Sequence, residues 1–182
     1  MMAFWKIFFK HHNIFSSNLN NQLVNQDAAD KILLVKYLEG RGTIVNVYLS
    51  FNSYVNLHDL EKLCDSVGWV RRPLKKVKIA IDNSFVTASL FYEQNKKKFL
   101  IGFARATSDT SFNATIWDVV IHPDFQGQGL GKMLMAQIIK QLRYEDINTI
   151  TLFADPQVVN FYKHLGFITD PDGVKGMFWY PL

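Results

Sequence analysis

The stretch that most constrains this chain is Gln126-Gly127-Gln128-Gly129-Leu130-Gly131-Lys132, three glycines in five residues set between two apolar segments. Ahead of it, Ile116 to Ile121 is apolar on both faces except for Asp118, the pattern of a central strand covered on both sides. Pro123 closes that strand. Behind the glycines, Leu130, Leu134, Ile138 and Leu142 recur every four residues, one face of a long helix. Glycine lets the backbone turn sharply and approach a ligand closely. The amides freed at a helix N-terminus then point at that ligand, and the helix dipole favours an anion. A pyrophosphate satisfies both conditions. A P-loop of the form GxxxxGK[ST] would need glycine at Gln126 and Ser or Thr at Met133, and it fails at both. A GxGxxG dinucleotide fingerprint beginning at Gly127 would need glycine at Lys132, and the strand before it comes too late for the first unit of such a fold. Taken alone, the turn could also serve only tight strand-to-helix packing.

The remaining chain reads as one mixed α/β domain. Thr43 to Phe51 alternates branched and polar residues, a strand. Asn56 is an N-cap for a helix with Leu57, Leu60, Leu63, Cys64 and Val67 on one face, ended by Gly68. A second helix runs from Pro73 to about Asp82. Phe85 to Tyr92 and Phe99 to Ala106 form a hairpin around Lys96, Lys97 and Lys98. Thr149 to Ala154 is a strand. Asp155-Pro156 opens a helix whose apolar face is Val158, Phe161, Tyr162 and Leu165 and whose stop is Gly166. Met177 to Pro181 reads as a last strand. The expected order is strand, two helices, three strands, helix, strand, helix, strand.

Hydrophobic residues at 48% and charged residues at 20% are globular values. A net charge of +4 and a pI near 9.1 suit an anionic ligand and are too weak to indicate nucleic acid. The single cysteine, Cys64, excludes an intramolecular disulfide and a multi-cysteine metal site. No apolar run approaches the ~20 residues of a membrane helix. Residues 1–41 are taken as an extension, poorly ordered or a short helix, and 42–182 as the domain. Oligomeric state is not legible.

Three elements together resemble the GNAT family of acetyltransferases. Gln126 to Gly131 satisfies that family's [R/Q]xxGxG pyrophosphate loop, Val119-Val120-Ile121-His122-Pro123 precedes it at the usual spacing, and Phe161-Tyr162-Lys163-His164-Leu165-Gly166-Phe167 matches FYxxxGF. The runs Ala104 to Asp109, Ile116 to Val120, Thr151 to Asp155 and Gly176 to Pro181 look closest to a plastid and cyanobacterial branch that includes serotonin N-acetyltransferases and plastid protein-lysine acetyltransferases. The resemblance implies a GNAT fold: one mixed, mostly antiparallel sheet of six to seven strands, splayed between two neighbours and flanked by about four helices. It implies acetyl-CoA as co-substrate, no metal, transfer to a primary amine, and a plastid location. The acceptor would be an arylalkylamine such as serotonin, or a protein lysine or N-terminal amine. A GNAT-fold module that binds acetyl-CoA without turnover is the alternative.

On that basis the backbone of Val119, Val120 and Ile121 would meet the pantetheine arm and polarise the acetyl carbonyl. Gln126, Gly127, Gln128, Gly129, Leu130, Gly131 and Lys132 would hold the pyrophosphate. Tyr162 is the candidate general acid, because a phenol of pKa ~10 stays protonated at neutral pH while a leaving thiolate needs a proton. Asp155, seven residues earlier on the same helix face, is a candidate cofactor contact or a plain N-cap. Many family members carry Glu or His, able to act as a catalytic base, at positions that here hold Thr115 and Trp117. Asp118 is the ionisable residue inside that strand and the candidate base, if a bulge re-aims it; a structural role is the competing one. A water-mediated base is a third option, with Asp65 a distant candidate, and His122 reads as a strand-end histidine rather than a base. Trp69, Phe85 and Trp117 are available to line an acceptor site, and Arg71, Arg72, Lys75, Lys76 and Lys78 form a basic patch.

Overall fold

The computed structural model describes residues 31–40, 42–52 and 54–180. They divide into two compact units, one of the described residues up to Phe153 and one of those from Ala154 to Tyr180. The first carries a six-stranded sheet in the order β1 to β6: β1 (Ile32–Gly40), β2 (Thr43–Ser50), β3 (Val86–Gln94), β4 (Lys97–Ser108), β5 (Asn113–Ile121) and β6 (Thr149–Leu152). Every neighbouring pair is antiparallel except β5 and β6, which run parallel. Helices α1 (Leu57–Ser66), α2 (Leu74–Asp82) and α3 (Leu130–Tyr144) belong to the same unit. The second unit contains α4 (Val159–His164) between two short 3-10 turns. This is the mixed, splayed sheet with four helices that the family resemblance implied.

Local chemistry explains most boundaries. Asn56 caps α1, its side chain accepting from the amides of His58 and Asp59 at 3.0 and 3.1 Å. Gly68, with φ +78°, turns the chain out of that helix. Asn95 and Lys96 both have positive φ, as a two-residue hairpin turn with the twist of its strands requires. The turn is therefore tighter than expected, and Lys97 and Lys98 lie in β4. Asp109 shapes the next turn by accepting from the amides of Ser111, Phe112 and Asn113 and from the Asn113 side chain. Those bonds hold its carboxyl far below the usual carboxylate range.

All of Val86 to Tyr92 in β3 is buried, so the sheet is covered on both faces. Leu60 and Leu63 of α1 and Ile81 of α2 form a cluster with Phe103 and Val120 of the sheet. Helix α3 packs on β3, β4 and β5 through Leu130, Leu134, Met135, Ile138 and Leu142.

Two expectations differ from the fold. Strand β1 lies ahead of the expected domain start at residue 42. Its register shifts twice against β2, between Leu33 and Val35 and again between Val35 and Leu38, with Tyr37 at φ +57°. Those irregularities break the period-2 pattern by which a strand is recognised. Residues 1–30 of the expected extension lie outside the described residues. At the other end, Met177 to Tyr180 forms no strand, and Pro181 lies outside the described residues. Strand propensity alone does not make a strand; a ladder partner does.

One close approach makes a test of the packing. A side-chain carbon added at Gly40 would run into the ring of the fully buried Phe125. Gly40→Ala is expected to cost about 1–3 kcal/mol, read as a lower urea midpoint at unchanged slope. An unaltered midpoint would show that β1 and Phe125 do not pack as described.

Candidate active site

The site begins where β5 loses a neighbour. Its first half, Asn113 to Ile116, pairs with Thr149 to Leu152 of β6. The hydroxyls of Thr115 and Thr151 lie 2.9 Å apart across that pair. Beyond Ile116 the β6 ladder stops, while β5 continues to Ile121 paired on its other side to β4. Residues 117–121 therefore have no ladder partner on that side.

The half of β5 that lacks β6 is also bulged. Arg105 pairs with Trp117 and Phe103 with Val120, so Asp118 and Val119 together stand opposite the single Ala104. Asp118 takes up the extra residue at φ +55°, a conformation aspartate tolerates better than most. The bulge re-aims its carboxylate onto two arginines. Oδ2 accepts from Arg105 Nε at 2.6 Å and Oδ1 from Arg72 at 3.0 Å. Side-chain exposure is 17% for Asp118 and 13% for Arg105, against 44% for Arg72. Arg105 also reaches the Ser84 hydroxyl at 3.5 Å. Burial pushes the Cys64 thiol up, and the nearby Arg72 partly offsets this. The cluster thus draws together α1, the α1–α2 loop, the α2–β3 loop, β4 and β5. Its two arginines were not put forward as functional partners of Asp118. An arginine at position 105 among the small residues Ala104 and Ala106 was the available signal.

The glycine turn follows directly. Gln126 folds back, its amide donating to Ile121 O at 2.8 Å, and so ties the turn to the end of β5. Gly127 and Gly129 have φ of +74° and +82°, and space is open where their side chains would be. Gly129 is the N-cap of α3 and offers no side-chain cap. The first helical bond runs from Met133 N to Gly129 O, which leaves the amides of Leu130, Gly131 and Lys132 without an intrahelical acceptor. The Leu130 side chain is buried, so only its backbone can meet a ligand, whereas Lys132 is exposed. Open left-handed glycines and uncapped amides beside a free strand edge fit a phosphate-bearing, extended ligand.

Other candidates are already engaged. Trp117 Nε1 donates to Thr107 Oγ1 at 3.0 Å, and its ring lies 5.4 Å from that of Phe153. Asp65 is held by Arg71, and His122 Nδ1 accepts from the Asp124 amide.

In the second unit, α4 ends in a Schellman motif. Phe167 N bonds to Tyr162 O and Gly166 N to Lys163 O, with Gly166 at φ +94°. The rings of Tyr162 and Phe167 meet edge to face at 6.0 Å, the apolar contact that accompanies this motif. The spacing of FYxxxGF is thus the spacing of a helix stop that fixes one tyrosine. Burial first, and then the Asp155 carboxylate, push the Tyr162 phenol up. Asp155 stands at the start of the 3-10 turn without making a side-chain cap bond, so the expected capping role is not seen.

With this geometry in place, comparison with known proteins decides the family. The profile of the Acetyltransferase (GNAT) family matches residues 54–167. The chain belongs to the GNAT family. It is 58% identical over 183 residues to an uncharacterized N-acetyltransferase, ycf52, of Pyropia yezoensis, with 99% of each chain covered. It is 47% identical to GCN5-related N-acetyltransferase 2, chloroplastic, of Arabidopsis thaliana, over 77% of this chain and 60% of that one. A GNAT-family acetyltransferase structure from Streptococcus pneumoniae superposes with a TM-score of 0.62 over 74% of this chain and 98% of the other, at 22% identity. That last likeness concerns the fold. This GNAT member is an N-acetyltransferase, and the chloroplastic relative places it among plastid proteins. Among the described residues, no helix is long and apolar enough to cross a membrane.

Proposed function

We propose that this GNAT enzyme binds acetyl-CoA and transfers its acetyl group to a primary amine by direct attack while both substrates are bound. The carrying observation is the open, uncapped start of α3 at the end of a strand edge that has lost its ladder partner. The family uses acetyl-CoA, and these residues suit it. The amides of Gly127 to Lys132 would hold the pyrophosphate, with Lys132 as counter-charge and Gln126 keeping the turn in shape. The free edge at Val119 and Ile121 would pair with the pantetheine arm, and an amide of Val119 or Val120 would polarise the acetyl carbonyl. The bound thioester supplies the acetyl carbon, at which a nitrogen–carbon bond forms as the carbon–sulfur bond breaks.

Tyr162 is the proposed proton donor to the departing thiolate. Its ring is fixed against Phe167, and a phenol pushed upward stays protonated throughout the neutral range, which supports this role. The Asp155 charge helps keep that proton in place, which is the part given to Asp155 here. Asp118 anchors the bulge, both of its oxygens accepting from guanidinium groups; the amine's proton passes to water, and water returns one to the Tyr162 phenolate.

Three variants test these roles. Gly129→Glu puts bulk and negative charge at the pyrophosphate and is expected to abolish acetyl-CoA binding by calorimetry; retained affinity would remove the turn from the site. Tyr162→Phe is expected to lower kcat by about tenfold or more with acetyl-CoA affinity nearly unchanged, and an unaltered kcat would end its role as acid. Asp118→Asn is expected to slow turnover while the acidic limb of the pH–rate profile survives. Loss of that limb would make Asp118 the base. A chain that binds acetyl-CoA yet releases no thiol with any amine would be a binding module.

A further inference from the structure

The surface joining α1 and α2 is more basic than the fold needs. From Val70 to Ile81 the chain carries Arg71, Arg72, Lys75, Lys76 and Lys78 and no acidic residue. Arg71 is held by Asp65, with Glu61 also near it, and Lys78 is held by Asp82. Lys75 and Lys76 are exposed and have no ion-pair partner among the described residues. Both sit in the first turn of α2, where a cation opposes the helix dipole. They detract from the stability of α2. Spacings of three and four put Ile79 on their side of the helix, and Ile79 is 53% exposed. Val70, in the loop, is 88% exposed.

This surface reaches the reacting strand through Arg72, which donates to Asp118 in the β5 bulge. Asp118 is shared by two guanidinium groups, so it is not a spare counter-ion for an incoming ammonium. A free arylalkylamine brings one positive charge and nothing to offset it. The cavity between α1 and α2 beside Arg72 has about 20 Å³ of room, enough for roughly one water. A polypeptide amine with acidic neighbours brings the complementary charge, and its apolar side chains can cover Val70 and Ile79.

We propose that the acceptor is a polypeptide amine flanked by acidic residues, docked along Arg72, Lys75 and Lys76. The transfer step rests on the function proposed above; the docking does not.

The full chain is assayed for thiol release with a lysine peptide flanked by glutamates, the same peptide flanked by lysines, and tryptamine. The glutamate-flanked peptide is expected to exceed both others in kcat/KM by about tenfold or more. Lys75→Glu/Lys76→Glu, checked for folding by its thermal melt, is expected to invert the order of the two peptides. Tryptamine matching the acidic peptide, or an order unmoved by the double variant, would overturn the proposal. A labelled acidic peptide with glutamine in place of its central lysine is followed by anisotropy without acetyl-CoA. Tight binding at low salt that weakens as salt rises is expected; no binding overturns the docking. Since this arm needs no turnover, binding without thiol release would count against acetyl transfer and leave the docking standing.

Discussion

Strand β5 has to serve two neighbours that diverge, and the active region depends on that constraint. Over Asn113 to Ile116 it is an ordinary interior strand with ladders on both sides. From Trp117 onward it keeps only β4. A strand edge without a ladder partner has backbone groups that take their bonds from something other than the sheet. A chain-like ligand with its own amides is a natural occupant of such an edge. The glycine turn stands at the end of the same edge, so one ligand can satisfy both the strand and the start of α3.

The bulge solves a second problem. A regular β5 would alternate its side chains and turn Asp118 away from the face of Trp117. An extra residue at Asp118 and Val119 interrupts this alternation, and the left-handed conformation at Asp118 has to be held by its surroundings. Arg105 does most of the holding, being largely buried and bonded at 2.6 Å. Arg72 contributes from an exposed loop. Ion pairs of this kind add modestly to stability at the surface and matter more where water is scarce. Their larger effect here is geometric: the loop beside α2 and the strand at the gap share one carboxylate.

The second unit shows how a short motif encodes a shape. Gly166 permits the left-handed residue after α4, Phe167 packs against Tyr162, and the phenol is left half-buried. The four residues between Tyr162 and Phe167 are what a Schellman stop requires.

What the amino-acid sequence determined by itself was what short-range physics governs. The α3 stripe, the Asn56 cap, the glycine turn and the Gly166 stop all arise within a few residues, where side-chain period and allowed φ decide the outcome. Strand β1 is not legible in the sequence because its bulges erase the period-2 signal, and Met177 to Tyr180 has strand composition without a strand because propensity says nothing about a partner. Tertiary structure alone decided the fate of Asp118. Its two arginines lie 13 and 46 residues away in the chain, and only the β4–β5 register and the packing of the α1–α2 loop bring them to one carboxylate. Long-range ion pairs leave no periodic trace in a sequence, because the energy that forms them is set by distances that only the folded chain possesses.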